Sequence, residues 1–291
     1  MTTDIDTRAS ARTAFVLAGG GSLGAAQVGM LAQLCVAGER PDLIVGVSAG
    51  AINAAFFARD PSSSTVERMA ALWGAMTTRG ALGLSWRSAL GVLGLAGHVA
   101  SPAGLRRLLL SELGYQSFDD VAVPLHIVCA ESLTGQEVTL SGGGVVEAVL
   151  ASSAIPGVFP AVEIDGRELV DGAIAANTPI ATAVRLGATR IIVLPAGFAC
   201  ALARPPARAL GRAMHAITLL GARQLRSDFD RYAPSIEIHV VPPLCPVGYS
   251  AYDYSHGGEL VERARQLTGT WIAEGGLSRR DFPAMLSPHV H

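Results

Sequence analysis

The 291-residue chain is poor in charge: 16% of its residues are Asp, Glu, Lys or Arg, and its formal net charge is −2. A balance that close to neutral gives no electrostatic footprint for a nucleic-acid partner. Cysteine is scarce too. Cys35, Cys129, Cys200 and Cys245 are scattered, with no CxxC or Cys/His cluster, which argues against a zinc site and against a disulfide framework. No metal or cofactor is expected, and a reducing, cytoplasmic setting fits best. The first ten residues contain Asp4 and Asp6 and lack a basic segment followed by an apolar core, so no signal peptide is expected. Long unbroken apolar runs are also missing. The stretch from Ser88 to Leu105 is interrupted by His98, Pro102 and four glycines, too broken for a transmembrane helix.

What remains is a half-hydrophobic chain long enough for a sizeable core. Residues 1–12 read as a polar, flexible tail, 13–275 as one domain without a linker, and 276–291 as a C-terminal tail. Thr13 to Ala18 is a buried strand followed by glycines and a helical pattern from Leu23 to about Ala37. "LIVGV" (43–47) is a second buried strand, and the alanine-rich stretch after it is a helix ending near Arg59. Strand, helix, strand, helix predicts a parallel sheet covered by helices. Further along, Val121 to Ala130, Glu137 to Ser141, 190–196 and 236–241 read as strands. "VEIDGRELV" is a hairpin about Asp165-Gly166. Helices are expected from Val145, from Pro179 with Thr178 as N-cap, over 207–230, and from Glu259 to Glu274.

Two motifs sit at the first two strand-to-helix turns. Gly19-Gly20-Gly21-Ser22-Leu23-Gly24 satisfies the G-x-G-x-x-G of dinucleotide sites. That reading needs an acidic residue after the second strand, where this chain has Ser48; Asp42 precedes the strand instead. The second strand ends in Gly46-Val47-Ser48-Ala49-Gly50, a G-x-S-x-G turn. Glycines two before and two after the serine avoid clashes across a sharp strand-to-helix bend, and Ser48 would stand exposed at the strand's carboxyl end. The helix from Ala49 would direct its N-terminal dipole at that hydroxyl. Backbone amides of Gly19, Gly20 and Gly21 would then suit an oxyanion beside Ser48.

A nucleophilic serine needs a proton acceptor. His126 and His239 fall inside strands, His215 in a helix, and His289 and His291 at the C-terminus, while His256 in "YSHGG" is a loop histidine near a helix start. Asp171, in "ELVDGAIAANTPI", follows a short strand among small and apolar residues. Asp165-Gly166 shares its dipeptide but needs only a turn to explain it.

GGGSLG, GVSAG, ASSAIPGVFP (151–160) and VDGA, in that order, resemble the patatin-like phospholipase family over about residues 13–195. The resemblance implies a three-layer α/β/α sandwich with a mainly parallel sheet and hydrolysis of lipid acyl esters by a Ser–Asp dyad without histidine. Ser48 is then nucleophile, Asp171 base, and Gly19, Gly20, Gly21 and Ala49 the oxyanion donors. Leu23 and Leu150 occupy positions that are often basic in the family, which bears on substrate class. A non-catalytic lipid-binding or scaffold relative is the alternative, a dinucleotide-binding oxidoreductase a more distant one. Burial should raise the Asp171 pKa above its ordinary value. Residues 80–110, apolar with Trp86, Arg87, Arg106 and Arg107, read either as a lid in transient contact with a membrane surface or as helices covering the sheet.

Overall fold

A computed structural model describes residues 12–77, 100–202, 204, 206–207 and 209–287. The expected tail over residues 1–11, and residues 80–99 of the expected lid, lie outside the described residues. The central strands are β1 (Thr13–Leu17), β2 (Leu43–Val47), β3 (Leu125–Glu131), β7 (Arg190–Leu194) and β8 (Glu237–Val240). They pair in the order β3-β2-β1-β7-β8, all parallel. β4 (Glu137–Leu140), β5 (Val162–Ile164) and β6 (Arg167–Asp171) add antiparallel strands at the β3 side.

The central strands are apolar along their length because helices cover both faces. In β1, Phe15 and Leu17 enter one hydrophobic cluster while Ala14 and Val16 enter the other. The first cluster is closed by α1 (Ala25–Val36), α2 (Ala49–Arg59), α3 (Ser63–Ala75), α5 (Val145–Ser152) and α9 (Gly257–Ala273), with α4 (Ala103–Glu112) beside them. The second is closed by α7 (Ile180–Arg185) and α8 (Ala209–Tyr232), with the short α6 (Ala173–Ala176) after β6. The fold is α/β with helices on both faces of a mainly parallel sheet, as expected.

Two local expectations are corrected. β3 begins at Leu125 rather than Val121, because Pro124 has no N–H for the ladder and residues 118–120 form a 3-10 turn. Pro179, not Thr178, occupies the N-cap of α7 with no side-chain cap bond; Thr178 contributes its carbonyl to the Ile180 N–H. The described part of the expected C-terminal tail is packed down: Leu286 is buried in the second cluster and Phe282 stacks at a tilt on Phe229. The fold also brings together two of the scattered cysteines, Cys200 and Cys245, whose sulfurs are 3.5 Å apart.

Candidate active site

The turns after β1 and β2 open at the same, carboxyl, edge of the sheet because the two strands are parallel neighbours. Ser48 links β2 to α2 with φ 53° and ψ −122°. That backbone is rarely adopted by a residue with a side chain, and such strain is kept where the surroundings over-determine it. Here the surroundings are close backbone contacts. A Cβ on Gly50 would lie 2.2 Å from the Leu17 carbonyl oxygen, and one on Gly46 would lie 2.7 Å from the Gly50 carbonyl oxygen. The motif glycines are therefore required by packing between β1, β2 and the first turn of α2.

Asp171 reaches the same point from β6. β3 pairs on one edge with β2 as far as Val47–Val128. The next residue, Cys129, pairs with Asp171, the last residue of β6. β4 overlaps both partners along β3, so it must take the opposite edge, and β2 and β6 share one. The carboxyl end of β2 thus meets the carboxyl end of β6. Gly172 lets the chain leave there: a Cβ would lie 2.1 Å from the Val128 carbonyl oxygen.

Across that junction the Ser48 hydroxyl donates to Asp171 Oδ2 at 2.7 Å, and the Ala173 N–H donates to Oδ1 at 2.9 Å. Both residues are buried, at 7% and 4% exposure. Burial raises the Asp171 pKa from 3.8 to about 6, against the opposing pull of the bonds from Ala173 and Ser48. A carboxylate so tuned can take a proton from a hydroxyl near neutral pH far better than an ordinary aspartate.

Of the amides expected to face an oxyanion, that of Gly19 donates to the Asn177 carbonyl oxygen at 2.9 Å. The N–H groups of Gly20, Gly21 and Ala49 have no acceptor among the described residues. Gly21 has φ +57° and presses on the Ala251 carbonyl, which accepts from the Ser22 N–H. A cavity of about 320 Å³ opens at Ser48, walled by Ile52, Trp73, Met76, Leu108 and Phe159.

His256 is not at the serine: its ring stacks on Tyr249 and its nitrogens face Asp253 and Glu259. His239 is enclosed between Glu237 and the Arg279 carbonyl. Asp165 sits in the hairpin turn at φ 51°. Asp42 accepts from the Thr13 N–H at the opposite end of β1. The end of β2, where a dinucleotide site needs its acid, carries Ser48. Leu23 and Leu150 are core residues at 1% and 3% exposure.

Ser152 was missed by the sequence reading although it lies within ASSAIP. Its hydroxyl accepts from the Ser48 N–H at 2.9 Å and donates to the Val128 carbonyl at 2.6 Å. It thereby ties the Ser48 turn to β3 at the residue beside the β6 junction. It ends a helix, "VVEAVLAS", that also carries Glu147, and nothing local sets its hydroxyl apart from an ordinary helix-end serine.

Comparison with known proteins gives one family. The patatin-like phospholipase model matches residues 15–184, which contain both turns and Asp171. Neuropathy target esterase sws of Drosophila melanogaster is 28% identical over 184 residues, 62% of this chain and 13% of that protein. Lysophospholipase nte1 of Aspergillus terreus is 29% identical over 183 residues, 62% of this chain and 12% of that one. The matched stretch thus spans about an eighth of these relatives. The crystal structure of VipD from Legionella pneumophila aligns with a TM-score of 0.43 at 13% identity, covering 89% of this chain and 67% of that one.

Proposed function

The chain belongs to the patatin-like phospholipase family, and on that premise we propose that it hydrolyses lipid acyl esters through an acyl-serine intermediate formed on Ser48 with Asp171 as base. The observation that carries this reading is the 2.7 Å hydrogen bond from the hydroxyl of Ser48, a residue with left-handed φ, to a buried, proton-hungry carboxylate.

In the first half-reaction Asp171 Oδ2 takes the Ser48 proton as Oγ bonds to the ester carbonyl carbon. The carbonyl π electrons move to oxygen, and that oxyanion sits among the N–H groups of Gly20, Gly21 and Ala49, at the positive end of α2. Collapse re-forms the carbonyl and breaks the bond to the alcohol oxygen, which leaves with the proton from Asp171. In the second half-reaction Asp171 takes a proton from water, whose oxygen displaces Ser48 Oγ. Oγ recovers the proton, and the fatty acid is released. Using one carboxylate for both proton transfers requires a pKa near neutrality, as burial provides.

The cavity supports the lipid class of substrate. Its walls of Ile52, Trp73, Met76, Leu108 and Phe159 suit an apolar acyl chain, and burial of each methylene contributes about 0.8 kcal/mol. Leu23 and Leu150 are in the core, so neither position presents a cation to an anionic headgroup. Among the described residues no helix is long and apolar enough to cross a membrane. Substrate is taken up in transient contact with a lipid surface.

The test is labelling by a fluorophosphonate, which phosphonylates an activated serine. Wild type and Asp165→Asn are expected to label and to hydrolyse p-nitrophenyl esters, whereas Ser48→Ala and Asp171→Asn do neither. Folded wild type that binds lipid without labelling would instead favour the scaffold reading.

A further inference from the structure

Three buried polar side chains outside the Ser48–Asp171 pair form one connected set. Gln27 on α1 and Asn53 on α2 are both 0% exposed, and Trp73 on α3 is 4% exposed. Gln27 Nε2 donates to the carbonyls of Ala18 (2.8 Å) and Leu194 (2.9 Å). Asn53 Nδ2 donates to the Gly24 carbonyl and to Gln27 Oε1, both at 2.9 Å. Asn53 Oδ1 accepts from the Trp73 Nε1–H at 2.8 Å. Every amide hydrogen has an acceptor, and the orientations are fixed: reversing Gln27 would set its oxygen against two carbonyl oxygens.

The carbonyls this set holds are not arbitrary. Ala18 immediately precedes Gly19, and Gly24 closes the 3-10 turn Gly21–Gly24. Gln27 therefore grips the entrance of the glycine turn and Asn53 its exit. Glycines have no side chains with which to fix themselves, so the stiffness of the turn must come from such outside contacts. Asn53 lies on α2, the helix that begins directly after Ser48, so it joins the glycine turn to the nucleophile's own helix. Trp73 extends the connection to the wall of the cavity at Ser48. Burying two primary amides where Leu or Met would pack has a desolvation cost, which is offset only because all their bonds are made.

We infer that Gln27 and Asn53 are positioning residues that hold the amides of the glycine turn in register with Ser48, with Trp73 locking the Asn53 amide in place. The inference rests on the acyl-serine reading above. Gln27 and Asn53 touch neither Ser48 nor Asp171 and do not line the cavity, so they act on stabilisation of the oxyanion and not on proton transfer or on substrate binding.

The experiment is steady-state hydrolysis of p-nitrophenyl acetate, too short to depend on the acyl cavity, from pH 5 to 9, with circular dichroism at each pH. The variants are Asn53→Asp, Gln27→Glu and Trp73→Phe. Asn53→Asp and Gln27→Glu keep the shape but replace donors by oxygen. At pH 8 both are expected to lose about 10- to 100-fold in kcat with KM within about twofold. Each is also expected to regain activity as falling pH protonates the new carboxyl and restores a donor, giving an alkaline limb that wild type lacks. Trp73→Phe is expected to lose a few-fold in kcat and show no such limb. Folded Asn53→Asp and Gln27→Glu with unchanged kcat, or with the loss wholly in KM, would overturn the clamp. Should those two not fold, an unchanged kcat in Trp73→Phe overturns it. Wild type without turnover would sink the hydrolase reading itself, a separate outcome from wild-type turnover that the variants leave untouched.

Discussion

Val47 and Asp171 lie end to end along one edge of β3, opposite the consecutive residues Val128 and Cys129. β2 arrives there parallel to β3 and β6 antiparallel, so two carboxyl ends converge, and the residue after Val47 is Ser48. The 2.7 Å contact between side chains 123 residues apart is thus a consequence of strand register. A one-residue slip of β6 would turn Asp171 to the other face of the sheet.

The pH profile follows from the raised pKa of Asp171. With Asp171 as base, only its carboxylate form can accept the serine proton, so kcat/KM for a p-nitrophenyl ester should rise with pH, with a midpoint at about 6, and level off above it. A profile that stays flat down to pH 4 would exclude Asp171 as the base.

The same shift has the opposite sign for stability. Between pH 3.8 and about 6 the native state holds the Asp171 proton more tightly than the unfolded chain does. Stability from this group is therefore full at low pH and falls as pH rises through that window. A shift of this size corresponds to about 3 kcal/mol of cost for the buried carboxylate. Asp171→Asn is neutral at every pH; its amide oxygen can still accept from the Ala173 N–H, while its Nδ2 would donate to Ser48 Oγ, reversing that bond. Its Tm should exceed wild type at pH 8, and the gap should close towards pH 4, as read by thermal melts at both pH values.

Much of this was legible in the sequence. β1 and β2 are buried on both faces, so they appear as unbroken apolar runs, and each ends in a glycine turn whose shape is local. The hairpin at Asp165-Gly166 is equally local. What was not legible is long-range. Nothing near Phe282 or Leu286 says that the chain returns to the core, whereas the start of β3 at Leu125 is marked locally by Pro124, which has no N–H for the ladder. The spent amide of Gly19 depends on Asn177, on another element. Gln27, Asn53 and Ser152 look like ordinary polar residues until the fold encloses them.

Ser152 offers a structural prediction. Ser152→Ala would strand the Ser48 N–H and the Val128 carbonyl in a buried space, at a cost of about 2 kcal/mol. It should also lower kcat, because the Ser48 turn loses its tie to β3. Urea unfolding and ester kinetics on the one variant check both.

The cavity predicts chain-length preference. Ile52 lies one turn along α2 from Ser48 and lines the space. Ile52→Phe should reduce the ratio of long-chain to acetyl ester hydrolysis by about tenfold, because a filled pocket rejects added methylenes. Competing p-nitrophenyl acetate and p-nitrophenyl decanoate report that ratio directly.

The most direct test of the central claim is to trap the intermediate. Wild type mixed with a p-nitrophenyl ester and quenched in acid at early times should gain the mass of one acyl group. Peptide mapping should then locate that group on Ser48, and Ser48→Ala should gain nothing. An acyl group on any other residue, or none on folded wild type that turns the ester over, would contradict the account.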